Sequence, residues 1–191
     1  WSTQKLEPIE LAVFERCSLF RAGFGAALAD AVRPPGVSSE QVQTALRALR
    51  DSSLLVPDRA GGDGEGRLVL YGAVRDFAFA RLVEAGAFDQ AAGAFAEAMR
   101  AWAEPLGQRH ARTGNQEALR ALAAEADNLL GAAELALARG AVAVAASLLS
   151  ALSHASSARA SSDSFLDLAA RALSHRGAGA LSPGAWAELS F

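Results

Sequence analysis

The sequence predicts a mainly α-helical protein: a winged helix-turn-helix with a small β-hairpin, followed by an antiparallel helical stack of the tetratricopeptide-like kind. Three observations predict it. Ala dominates the apolar residues while Ile occurs once, at Ile9; Ala is the best helix former, and a large sheet needs β-branched residues. Apolar residues recur at helical spacing along most of the chain. A single Gly-rich cluster, Asp58 to Gly66, separates two short apolar runs, which is the pattern of a hairpin.

The elements follow in order. Pro8 fits the first turn of a helix, where its missing N–H costs nothing, and Leu11, Phe14, Cys17 and Ser18 continue at helical spacing until Gly23. Residues 24–33 read as a short helix around Ala27, Leu28, Ala31 and Val32, stopped by Pro34-Pro35-Gly36. Ser38 and Gln41 have the spacing of a capping box before a stripe of Val42, Ala45, Leu46 and Leu49. Leu54-Leu55-Val56 and Arg67 to Tyr71 are the hairpin strands. A helix with Val74, Phe77, Ala78 and Leu82 on one face closes the first part at Gly86.

From residue 87 the pattern is helical almost throughout. Phe88, Ala92, Phe95, Met99 and Trp102 form one stripe, which Pro105 is expected to kink or end. One long helix is expected from Leu119 to Leu137, ended by Gly140, and another around Val144 to Leu152. Ser153 to Asp163 reads as a loop, Phe165 to Leu173 as a helix, and Trp186 and Leu189 mark a last segment. The expected domains are therefore residues 1–86, winged-helix-like, and residues 87–191, an antiparallel stack without a strict 34-residue repeat.

Composition narrows the function. The chain has 191 residues, 51% hydrophobic and 20% charged, a globular balance that allows one large domain or two small ones. Its net charge of −3, from 18 basic and 21 acidic residues, argues against a strongly basic nucleic-acid module. The single cysteine excludes a disulfide framework and a multi-cysteine metal cage. His110, His154 and His175 fall in different segments with no H-x-x-x-H spacing, so they supply neither a zinc motif nor a diagnostic catalytic pair. Cys17 lies on an apolar stripe and reads as a small buried hydrophobe. The Gly61 to Gly66 loop precedes a strand rather than a helix, and Asp63 and Glu65 would repel an anion, so it reads as a wing turn rather than a phosphate cradle. No apolar run is long enough to span a membrane, and the absence of a targeting segment points to the cytoplasm. Trp1 in first place, without Met, suggests an excerpt of a longer protein.

Four blocks of residues occur in a characteristic order. The first is Trp1, Leu6-x-Pro8-x-Glu10 and Phe14-Glu15-Arg16-x-Ser18-x-Phe20-x-x-Gly23-Phe24. The second is Leu46-x-x-Leu49-x-x-x-Ser53-Leu54-Leu55, and the third is Arg67-Leu68-x-Leu70-Tyr71-x-x-Val74-Arg75-Asp76-Phe77-Ala78. The fourth is Ala124-Glu125-Ala126-Asp127-Asn128-Leu129-Leu130. Together they resemble the segment after the nucleotide-binding domain of bacterial STAND-class signalling ATPases, including LuxR-like transcriptional regulators. The resemblance covers roughly residues 1–155. It implies a winged helix that packs on an effector domain and helical repeats that receive a partner. Two departures stand out: the chain has no G-x-x-x-x-G-K-[ST] motif, and Glu7 replaces the family's small N-cap residue.

The expected function is thus non-catalytic: regulation and protein–protein interaction in bacterial signal transduction or transcription regulation. Partner binding on the repeats would be coupled to an ATPase or kinase domain outside this chain. No catalytic, cofactor-binding or metal-binding residue is assigned. Arg47, Arg50 and Arg75 are the candidates for contact with a partner protein or effector domain, since guanidinium groups pair bidentately with carboxylates. The alternative is a DNA-binding winged helix that uses residues 39–51, with Gln41, Gln43, Thr44, Arg47 and Arg50 in the groove. Against it, residues 1–85 carry 10 basic and 11 acidic side chains. A third class, a hydrolase or transferase assembled from residues distant in sequence, stays open. Trp186 and Phe191 are expected to leave apolar surface for self-association.

Overall fold

The computed structural model describes residues 6–58, 66–153 and 162–174. Over these residues the chain is mainly helical, with one small two-stranded antiparallel sheet. It divides into two compact units, Trp1–Ala94 and Phe95–Phe191.

In the first unit, α1 (Pro8–Cys17) starts where the backbone N–H of Glu7 donates to the Glu10 carboxylate at 2.9 Å. Pro8 occupies the first turn as expected. The turn after α1 leads to α2 (Ala26–Ala31). This helix buries Leu28 and Ala29, while Ala27 and Ala31 face outward. The helix is shorter than the 24–33 expected, and of the four residues it was expected to centre on, Leu28 and Val32 are buried. α3 (Ser39–Asp51) carries the predicted capping box: Ser38 Oγ accepts from the Gln41 N–H at 3.2 Å, and Gln41 Oε1 accepts from the Ser38 N–H at 2.8 Å. Val42, Ala45, Leu46 and Leu49 are buried, as their spacing requires.

The strands are shorter than the apolar runs suggest. β1 (Val56–Pro57) pairs with β2 (Leu68–Val69) in the register Val56↔Val69 and Pro57↔Leu68. Leu54 and Leu55 are buried ahead of the strand. Phe24 exchanges two 2.8 Å backbone hydrogen bonds with Leu68, so the segment between α1 and α2 lies along the other edge of β2. Arg67 fastens this junction, donating to the Gly23 carbonyl while its Nε stands 3.9 Å from Asp58 Oδ2. A Cβ at position 23 would stand 2.7 Å from Asp58 Cγ, so any larger residue there would have to displace the Asp58 side chain. The stacked rings of Phe20 and Phe24, 4.2 Å apart, complete the underside.

α4 (Gly72–Glu84) packs on α1, as α3 does. Arg81 Nε donates to Glu15 Oε1 at 3.1 Å across the α1–α4 contact. Ala78 and Leu82 are fully buried, whereas Val74 and Phe77 are only partly covered.

α5 (Phe88–Thr113) spans the boundary between the units. It contains Pro105 in its interior, so of the two outcomes expected at Pro105, a kink or an end, the end is excluded. Pro105 and Ala101, the residue four positions earlier, are both exposed, which places the carbonyl that loses its amide partner on the wet side of the helix. Arg100 bridges Glu97 at 2.9 Å and Glu104 at 2.7 Å on the same helix.

The second unit continues with α6 (Gln116–Ala124), capped by Asn115 Oδ1 at 2.8 Å from the Ala118 N–H. α7 (Ala126–Ala138), α8 (Val142–Ser153) and α9 (Ser162–Ser174) follow. α7 packs on α8, α9 packs on both, and α6 touches α8. The single long helix expected from Leu119 to Leu137 is corrected to two helices. Glu125 leaves helical geometry at φ −104°, ψ 10° and turns its buried carboxylate to Asn128, whose Nδ2 donates at 2.6 Å. Ala132, Ala133, Ala136, Ala145 and Ala146 are all buried, so α7 and α8 meet through small side chains and close backbones. Ser153 and Asp163 belong to α8 and α9, and the loop expected between them is otherwise outside the described residues, as are the Gly61 to Glu65 turn, His154, His175, and the last segment with Trp186, Leu189 and Phe191.

Candidate functional site

The predicted contact residues divide between two helices. Arg47 and Arg50 project from α3 and are exposed; Arg75 lies in the first turns of α4 and is partly covered. Each of these helices packs on α1, and the three arginines are divided between them. Arg47 Nη2 donates to Thr44 Oγ1 at 3.1 Å. Arg75 stands 3.8 Å from its neighbour Asp76, a loose and solvated pair.

The exposed side of α3 carries Glu40, Gln41, Gln43, Thr44, Arg47, Arg50 and Asp51. Its other side is the buried stripe, so the helix is sharply two-faced. Of the five candidate DNA-reading residues, Gln41 has its carbonyl oxygen committed to the helix cap, and Thr44 and Arg47 bond one another. Glu40 and Asp51 stand at the two ends of the same face. A phosphate-tracking surface would need uncompensated cations here.

α4 presents a different chemistry. Tyr71 at its mouth is 63% exposed, and Phe79 and Val83 are 39% and 49% exposed. With Arg75 they recur every four residues, so they share one side of the helix. Phe79 meets Phe88 edge to face, with ring centroids 5.3 Å apart, which fixes its ring while leaving much of it in water. The result is an arginine set in an uncovered apolar and aromatic stripe. This composition is enriched where proteins dock on one another.

Sequence reading selected Arg75 but missed Tyr71, Phe79 and Val83. A signal was present. A helix whose buried face is Ala78 and Leu82 has no core reason for large apolar residues at positions 79 and 83.

Cys17 is buried, and burial pushes its thiol up to about 12, so the thiolate is disfavoured. His110 Nδ1 lies 3.0 Å from the Asn115 carbonyl at the turn between α5 and α6. Among the described residues, no group of three or more His, Cys, Asp and Glu side chains is arranged to hold a metal ion. Among the same residues, no helix is long and apolar enough to cross a membrane. No protein-family model, curated protein or solved structure matches the chain.

Proposed function

We propose that this chain is a regulatory protein-interaction segment, and that its docking surface is the Tyr71–Arg75–Phe79–Val83 side of α4. The exposed apolar stripe is the observation that carries the reading. Buried apolar area supplies most docking energy, and an arginine within such a stripe adds a directional pair with a partner carboxylate. In this reading the first unit is a winged helix, supported by the helix order α1, α2, α3, the β1–β2 hairpin and the Phe24–Leu68 bridge that aligns a third segment with it. The α6–α9 helices are tetratricopeptide-like and receive a partner. The effector would be an ATPase or kinase domain outside this chain, as the resemblance to STAND-class regulators implies, in a bacterial cytoplasm.

The test uses the burial of Cys17. A Val83→Cys variant carries one accessible thiol, because Cys17 is inaccessible. Its maleimide labelling is expected to be fast in this chain and at least about tenfold slower in the intact product of its gene, where the α4 face is covered. Equal rates in both would refute the α4 surface.

The fully exposed polar side of α3 favours a second reading, DNA contact through Gln43, Arg47 and Arg50. A duplex titration at low salt separates the two. Affinity that falls steeply with added salt would favour DNA.

A further inference from the structure

Arg16 is an unusual residue for its position. It sits on α1 among the buried side chains Val13, Phe14 and Cys17 and is itself only 5% exposed. Arginine is rarely buried without a carboxylate or phosphate beside it. Here, among the described residues, the guanidinium has no ion pair. It makes one long hydrogen bond, from Nη1 to the Val32 carbonyl at 3.5 Å, at the C-terminal end of α2.

Arg16 also lines a pocket of about 400 Å³. Arg33 lies on the same wall, with Pro34, Pro35 and Val37 from the connection between α2 and α3, and Gln90 from the start of α5. No acidic side chain lines it. Arg33 is held in place by Asp30, to whose carbonyl and Oδ2 its Nη1 donates at 3.1 and 3.4 Å, yet it stays 44% exposed. Asp30 is anchored in turn by Ser39 Oγ at 3.0 Å. Two cations, an amide and a proline-rich apolar wall thus surround a volume in the range of small-molecule sites.

We infer that this pocket binds a small organic anion, its carboxylate or phosphate head on Arg16 and Arg33 and its compact body against Pro34, Pro35 and Val37. An anion would return to Arg16 the interactions that burial removes, and the planar fork of each guanidinium suits a two-oxygen head. Burial lowers the pKa of Arg16 from its ordinary value, in keeping with a guanidinium that has lost water and has not regained a counter-charge. The site is separate from the α4 stripe and does not depend on the reading of that stripe.

The test is a titration followed by two-dimensional 15N NMR, with inorganic phosphate and succinate as probes and sodium chloride at matched ionic strength as the control. The expected result is saturable shifts of the Gly36 and Val37 amides and the Gln90 side-chain amide with at least one probe and none with chloride. Phosphate alone would assign a phosphate head, succinate alone a carboxylate head, and both their shared chemistry. Arg33→Gln, at a part-exposed position that leaves the core intact, is expected to weaken binding about tenfold. Arg16→Lys should weaken it as well, and if that variant does not fold, Arg33→Gln and Gln90→Ala still decide. No saturable shift with either probe, shifts that chloride reproduces, or unchanged affinity in Arg33→Gln would each overturn the proposal.

Discussion

At the scale of single residues, Cys17 shows how position determines chemistry. Its thiol is enclosed by the helix core, and the cost of a buried thiolate lifts its pKa from 9.0 to about 12. The unfolded chain releases this proton at lower pH than the folded one. Between those two values the folded state therefore binds more protons, and its stability falls as pH rises, with a slope of about one proton. Below the unfolded pKa the group contributes no pH dependence. A disulfide-exchange reagent at pH 8 is accordingly expected to find no reactive thiol in the native chain and one after denaturation. Rapid native reaction would contradict the burial. The sequence already showed Cys17 as apolar by its place on a helical stripe. It did not show Arg16 as buried, because helical spacing alone cannot tell an arginine drawn inward by a carbonyl from one solvated at the edge of the stripe.

At the scale of elements, the junction between α6 and α7 gives the sharpest case. Glu125 and Asn128 are both buried, 3% and 0% exposed, and are joined by a 2.6 Å hydrogen bond. Asn128→Ala removes that donor and leaves the carboxylate with less compensation, at an expected cost of roughly 2–3 kcal/mol in urea unfolding. Gln108→Ala, on an exposed turn of α5, should stay within about 0.5 kcal/mol. Equal effects would mean that the pair does not hold the junction. The break was hidden in the sequence because Leu122 and Leu129 are seven residues apart, two helical turns, and a one-residue interruption leaves them in phase. Pro105 left two outcomes open in the sequence, a kink or an end; on the wet side of a 26-residue helix the loss of one hydrogen bond is tolerated and the helix continues. Capping was the reliable signal, because Ser38 and Gln41 declare the start of α3 through a local pair of bonds that needs nothing distant.

At the scale of the whole molecule, the helical character followed from composition and period, while the extent of the sheet did not. Leu54 and Leu55 look like strand residues because they are apolar, but they are buried ahead of a two-residue strand. The candidate surface was only partly legible. Arg75 was visible as a charge, but the stripe around it appears only once Ala78 and Leu82 define which side of α4 is covered. The central claim is that this side of α4, and not the polar side of α3, meets another protein surface. Hydrogen–deuterium exchange of the chain alone and of the intact gene product tests it most directly. The account predicts slower exchange across residues 75–83 in the intact product, with residues 40–51 unchanged. Unchanged exchange in α4, or protection of α3 on adding duplex DNA, would contradict it.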